Sequence, residues 1–177
     1  MRVADLAWRG LEIDSLERLH IDEGTSSIRI QSIVDSARGR YSYEIVCEPN
    51  WTFRKLRLEA ATGERAVELE SDGKGDWTVD GEWRSDLDEC IDIDLSGTPF
   101  TNSLPIRRLD LAIDDEADLM MAYVDFEELN VLPDAQRYSR LAEDLYRYES
   151  LDSDFTRDIT VDASGFVVEY PGLFERV

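Results

Sequence analysis

The chain has 177 residues, 42% of them hydrophobic, and sets 40 acidic against 19 basic side chains for a formal net charge of -21. At this length one domain can bury roughly 70% of the unfolded surface, and no apolar run approaches the ~18 residues that would span a bilayer. A field this negative repels nucleic acid phosphates, so a soluble globule that does not bind nucleic acid and is not an integral membrane protein is expected.

The acidity is dispersed, and Lys55 and Lys74 are the only lysines. At molar salt the Debye length falls to about 3 Å, which screens the carboxylates from one another while they keep the surface hydrated. The composition therefore points to a salt-adapted interior. The opening Met1 to Gly10 has neither the apolar stretch nor the small-residue cleavage site of a secretory signal, and a cytoplasmic location is expected.

In chain order, His20 has no second imidazole beside which to build a metal site, and an exposed or capping role is expected. In Tyr41 to Cys47 the odd positions share one face of a pleated strand. From Trp51 to Leu58 the apolar phase slips, with Trp51 and Phe53 in one register and Leu56 and Leu58 in the other, which predicts a bulge near Arg54 and Lys55. Cys47 and Cys90 lack Cys-x-x-Cys spacing and read as buried free thiols. Asp72 to Asp76, Val79 to Glu82 and Asp162 to Gly165 carry the glycines of tight turns. Short alternating runs of this kind predict antiparallel strands and hairpins rather than βαβ units. No linker or repeat divides them, so residues 1–177 read as one domain.

Residues 133–150 fit two patterns: Tyr138, Leu141, Leu145 and Tyr148 recur at helical spacing, and Gln136 to Tyr138 and Tyr146 to Tyr148 alternate on either side of an Ala142 to Leu145 turn. Leu87 to Leu109 is the segment densest in polar chemistry. As a strand it places Asp88, Cys90, Asp92 and Asp94 on one face and Glu89, Ile91, Ile93 and Leu95 on the other. Asp92-x-Asp94-x-Ser96-Gly97 begins like a calcium loop, yet its twelfth position is Ser103 instead of glutamate. An aspartyl-nucleophile hydrolase would need a helix next, and Thr98-Pro99-Phe100 argues against one. Charges on one face of a half-buried strand need partners, so Asp92, Asp94, Arg107 and Arg108 are expected to form a polar network. There is no nucleophile elbow, phosphate loop or dinucleotide fingerprint, and no cofactor or metal is called for.

Cys90 to Asp94 followed by Thr98-Pro99-Phe100-Thr101-Asn102-Ser103-Leu104-Pro105-Ile106-Arg107-Arg108-Leu109 closely resembles the hallmark of the putative glycolipid-binding family. Trp8, Gly10 to Glu12, Tyr41, Trp51 to Arg54, Gly75 to Trp77, Asp80-Gly81, Gln136 to Tyr138, Tyr146 to Ser150, Asp162 and Tyr170 to Phe174 extend the resemblance over nearly the whole chain. It implies an all-β fold, a curved antiparallel sheet forming a spiral β-roll or half-barrel, with at most one short helix. It also implies non-enzymatic binding of a glycolipid-like or other apolar ligand on the concave face. On that reading Trp51, Trp77, Tyr123 and Tyr148 meet the apolar part, and the polar head lies near Asp92, Asp94, Thr101, Asn102, Arg107 and Arg108. The alternatives are a hydrolase using Asp92 and Asp94, or an interaction module that offers a sheet edge to another chain.

The charge pattern predicts that thermal unfolding moves upward with potassium chloride between ~0.1 M and ~2 M, as the Debye length shrinks from about 10 Å to about 3 Å and below. A midpoint indifferent to salt removes the salt-adaptation reading.

Overall fold

A computed structural model describes residues 2–63 and 65–177, and they form one fifteen-stranded sheet. The first arm is a meander: β1 (Arg2–Gly10), β2 (Ser15–Glu23), β3 (Ile28–Ser36), β4 (Gly39–Cys47), β5 (Phe53–Ala60), β6 (Ala66–Ser71), β7 (Trp77–Val79) and β8 (Glu82–Trp83). A short connection then carries the chain to the far edge of the sheet. The second arm returns through β9 (Cys90–Leu95), helix α1 (Ser103–Leu109), β10 (Glu116–Val124), β11 (Val131–Ala142), β12 (Leu145–Ser150), β13 (Thr156–Val161), β14 (Val167–Tyr170) and β15 (Phe174–Arg176). β15 pairs with β1, so the first and last strands meet in the middle, and the order across the sheet is 8-7-6-5-4-3-2-1-15-14-13-12-11-10-9. Among the described residues no helix is long and apolar enough to cross a membrane.

Alternation produces the strands. Ile28, Ile30, Ser32 and Val34 of β3 point inward, and the buried residues of β4 are the odd ones, Tyr41, Tyr43, Ile45 and Cys47. The bulge near Arg54 and Lys55 is present, because Val46 pairs with Lys55 but Cys47 pairs with Phe53, leaving Arg54 as the extra residue. The Asp80-Gly81 turn has positive φ at both residues, 51° and 81°, the mirror-image turn that suits the twist of a hairpin. Residues 133–150 are a hairpin, with Tyr138 paired to Tyr148. Both cysteines are buried free thiols, and His20 sits on the outer face with Nδ1 2.7 Å from Asp5 Oδ1.

The two arms coil. β8 and β9 are opposite edges, yet Trp77 Nε1 donates to Cys90 O at 2.9 Å and Arg84 Nη2 to Val131 O at 2.8 Å. Ile93 and Leu95 of β9, Ala122 and Val124 of β10, and Val131 join Ile45, Phe53 and Leu56 of the first arm in one apolar cluster. The opposite face of β9 carries Asp92 and Asp94, which bond to the helix and to β11. The inner edge is thus covered on both faces, as in a rolled sheet, and the edge left outside, β8, is only two residues long.

Two expectations are corrected. A helix does follow β9: a 3₁₀ turn, Phe100–Asn102, runs into α1, and β9 and β10 pair in parallel across this crossover. Pro99 precedes the turn and Pro105 lies in the first turn of α1, where a missing N–H costs nothing because that donor has no partner within the helix. The even alternation through β9 also fails. The register slips between Met120 and Met121, Ile91 is turned outward at 37% exposure, and Cys90 joins Ile93 and Leu95 in the apolar cluster.

Gly97, after β9, leaves no room for a side chain, since a Cβ there would lie 2.3 Å from Phe126 Cδ2 in the segment after β10, and that ring packs in turn on Tyr41 of β4 at 5.3 Å. Gly97→Ala is expected to lower stability by about 1–3 kcal/mol through overpacking. Denaturant unfolding checks this, and an unchanged midpoint refutes the close approach.

Candidate functional site

The concave side of the second arm, expected as an open trough, is occupied in large part by the chain's own residues 98–109. Phe100, Thr101, Asn102, Ser103 and Leu104 are all buried, and each polar one is tied to the surrounding sheet. Thr98 Oγ1 donates to Glu17 Oε2 at 2.6 Å and accepts from Phe100 N. Thr101 Oγ1 accepts from Leu95 N and donates to Asp94 Oδ1, both at 3.1 Å. Asn102 Nδ2 donates to Tyr138 Oη at 2.8 Å. Non-strand backbone inside a roll must find partners for its polar groups, and these short side chains supply them.

The expected Asp92, Asp94, Arg107 and Arg108 network separates into three parts. Arg108 grips Asp92 with Nε at 3.1 Å from both carboxylate oxygens and Nη2 at 2.6 Å from Oδ2. Asp92 is 1% exposed; its burial raises the pKa and the guanidinium opposes the rise. Asp94 is held without a cation, by Thr101 and by Gln136 Nε2 at 2.8 Å, and burial pushes its pKa up. Neither carboxylate stands open to solvent beside the other as an acid and base would. Arg107 leaves this group altogether. Its guanidinium carbon lies 4.0 Å from the Trp51 ring centroid and 4.6 Å from that of Phe166, and Nη1 donates to Ser164 O.

The four aromatic candidates occupy different places. Trp77 is fully buried in the first arm, stacked on Phe53 at 5.2 Å. Tyr148 belongs to an aromatic group with Tyr138, Phe155 and Tyr170, at centroid distances of 5.6 to 6.2 Å. Tyr123 is half-buried, and burial raises the pKa of both Tyr123 and Tyr148, with the charges of Asp94 and Asp134 adding to the rise. Trp51 stacks on Arg107, and Tyr123 lies opposite Asp94 in the β9–β10 register.

Two features escaped the sequence reading. Glu17 is 3% exposed and accepts from Ser32 Oγ at 2.7 Å, Tyr43 Oη at 2.6 Å and Thr98 Oγ1, without a cationic partner. Its signal was an acidic residue in the apolar phase of β2, in line with Leu19 and Ile21. The second is a mostly apolar cavity of about 190 Å³ at the end of the roll where β3 meets β4, lined by Val34, Tyr41, Gly97, Phe126, Leu173 and Phe174. Glu12, Arg38 and Glu127 ring its mouth, and Arg38 Nη1 donates to Glu127 across it. Phe174 also touches Tyr170, at 6.4 Å, which links the cavity to the tyrosine group.

Burial raises the Glu17 pKa against the three hydroxyl donors. The folded protein therefore holds this proton more tightly than the unfolded chain, and the resulting stability is lost as pH climbs from the unfolded value of 4.5 through the folded one. Relative to Glu17→Gln, which does not titrate, the native protein is expected to lose melting temperature as pH rises from about 4.5 to 8. A difference constant over that range would mean that Glu17 is not desolvated.

Comparison with known proteins supplies the remaining evidence. A family model described as "Putative glycolipid-binding" matches residues 5–176. A DUF1089 family protein from Pseudomonas aeruginosa, known from a crystal structure, superposes with a TM-score of 0.78 at 33% identity, over 91% of this chain and 92% of that one. No curated protein matches the chain.

Proposed function

Because the chain belongs to the putative glycolipid-binding family, we propose that it binds the apolar part of a glycolipid-like amphiphile in the cavity between β3, β4 and Phe174, without catalysing a reaction on it. The observation that carries this reading is the combination of an apolar wall and a charged rim in one cavity: Val34, Tyr41, Phe126, Leu173 and Phe174 within, Glu12, Arg38 and Glu127 at the mouth. Such a site removes a hydrocarbon from water while leaving the attached head at the surface.

Size sets the limit. Pockets that enclose a whole drug-sized ligand measure about 300–1,000 Å³, whereas this one holds about 190 Å³. It takes one chain end rather than a complete lipid, and the 98–109 segment fills the space in which a longer chain would lie. The salt-adapted interior read from composition is part of the same proposal. The negative surface favours an uncharged head over an anionic one.

Each methylene that enters contributes about 0.8 kcal/mol. Alkyl glycosides of increasing chain length, titrated calorimetrically below their micelle concentrations and at a salt concentration that keeps the protein folded, are expected to bind more tightly with the first few carbons and then level off. A response flat from the shortest chain onward overturns the proposal.

A further inference from the structure

A second concavity lies at the other end of the roll. Tyr41, in the wall of the apolar cavity, is near the start of β4, and Trp51 follows the end of that nine-residue strand, which spans roughly 30 Å at ~3.3 Å per residue. The cleft there measures about 370 Å³, and unlike the apolar cavity it is walled by planar polar groups. Arg107 stands on one side, pressed on Trp51 and Phe166. Arg140 stands with its guanidinium carbon 5.5 Å from the Tyr146 ring centroid, and its three nitrogens donate to the carbonyls of Leu111, Ala142 and Glu143. Asp110, Glu143, Asp162 and Ser164 add further polar groups, and Ile106 and Val161 add apolar ones. Trp51 holds φ at 70°, a left-handed conformation that a bulky residue keeps only when its surroundings enforce it.

From this arrangement we propose that the cleft between Trp51, Arg107 and Arg140 binds an uncharged sugar ring. Donors and acceptors decide the class of ligand. The charges of the cleft are mixed: the guanidiniums of Arg107 and Arg140 stand among the carboxylates of Asp110, Glu143 and Asp162, the last already paired with Arg176, so an ion of either sign meets groups of its own sign. What fits is a small molecule whose groups each donate and accept, which describes vicinal hydroxyls. The stacked guanidiniums are already fixed, so little side-chain freedom is lost when they donate to ligand oxygens. This site is separate from the apolar cavity and stands or falls without it.

The test follows the Trp51 indole N–H and the Tyr146 ring by NMR in the whole protein at high salt, while glucose, galactose, mannose and inorganic phosphate are added in turn. At least one sugar is expected to shift both signals saturably, and phosphate is not. The Asp110 side chain is 92% exposed, so Asp110→Asn combined with Glu143→Gln keeps the fold and is expected to weaken the sugar about tenfold, the loss of one charge-assisted hydrogen bond. An unchanged melting temperature verifies the fold of the variant. The proposal is overturned if no sugar moves these signals, if phosphate moves them in place of sugars, if the double variant binds as the native protein does, or if a sugar-free alkyl chain competes for the site.

Discussion

A sheet that coils over itself can bury a non-strand segment only if every polar group on that segment finds a partner, and this requirement organises the second arm. The segment is 98–109. Its hydroxyls and amide side chain are spent on Glu17, Asp94 and Tyr138 and on the backbone of β9, and its arginines on Asp92 and on the aromatic pair Trp51 and Phe166. Remove any one and a buried donor or acceptor is stranded, a loss of about 1–3 kcal/mol. The Thr-Pro-Phe-Thr-Asn-Ser run that stands out in the sequence is therefore an internal fastening, and the apolar cavity and the Trp51 cleft lie at the two ends of the roll, beyond it.

Charge is distributed accordingly. Most carboxylates face water, several in cross-strand pairs such as Arg137 with Asp118 and Arg147 with Asp158, where solvent leaves them worth little individually. Among the described residues Glu17, Asp92 and Asp94 are buried beside the 98–109 segment, and burial raises all three pKa values; Arg108 opposes the rise at Asp92, while Glu17 and Asp94 are held by neutral donors.

Much of the fold was legible from residue patterns. Period-two alternation located the strands, the slip between Phe53 and Leu56 located the bulge, and the glycine turns fell between the strands they were assigned to. The misreadings had a common origin in β9. Proline was weighed as a helix breaker, although Pro105 occupies the one helical turn that tolerates it. The alternation was extended across Ile91, where a bulge interrupts it. Both faces of β9 are buried, which a strand pattern cannot announce, because a polar residue such as Asp94 reads as solvent-facing until its partner Gln136, forty-two positions away, is known. The same distance problem hid the cavity: Val34, Phe126 and Phe174 are ordinary core residues until the coil brings them to one mouth.

The pairing of β1 with β15 has a consequence for how the molecule is made. β1 leaves the ribosome first with one edge already engaged by β2, and its other edge stays vacant until the last of the fifteen strands emerges. During that interval the inner face of the first arm, with Ile30, Ile45 and Leu56, has no Ile93 or Ala122 to cover it. Contacts between positions so far apart in sequence form slowly, so once the first arm is made its adhesive inner surface stays uncovered until the second arm has followed it.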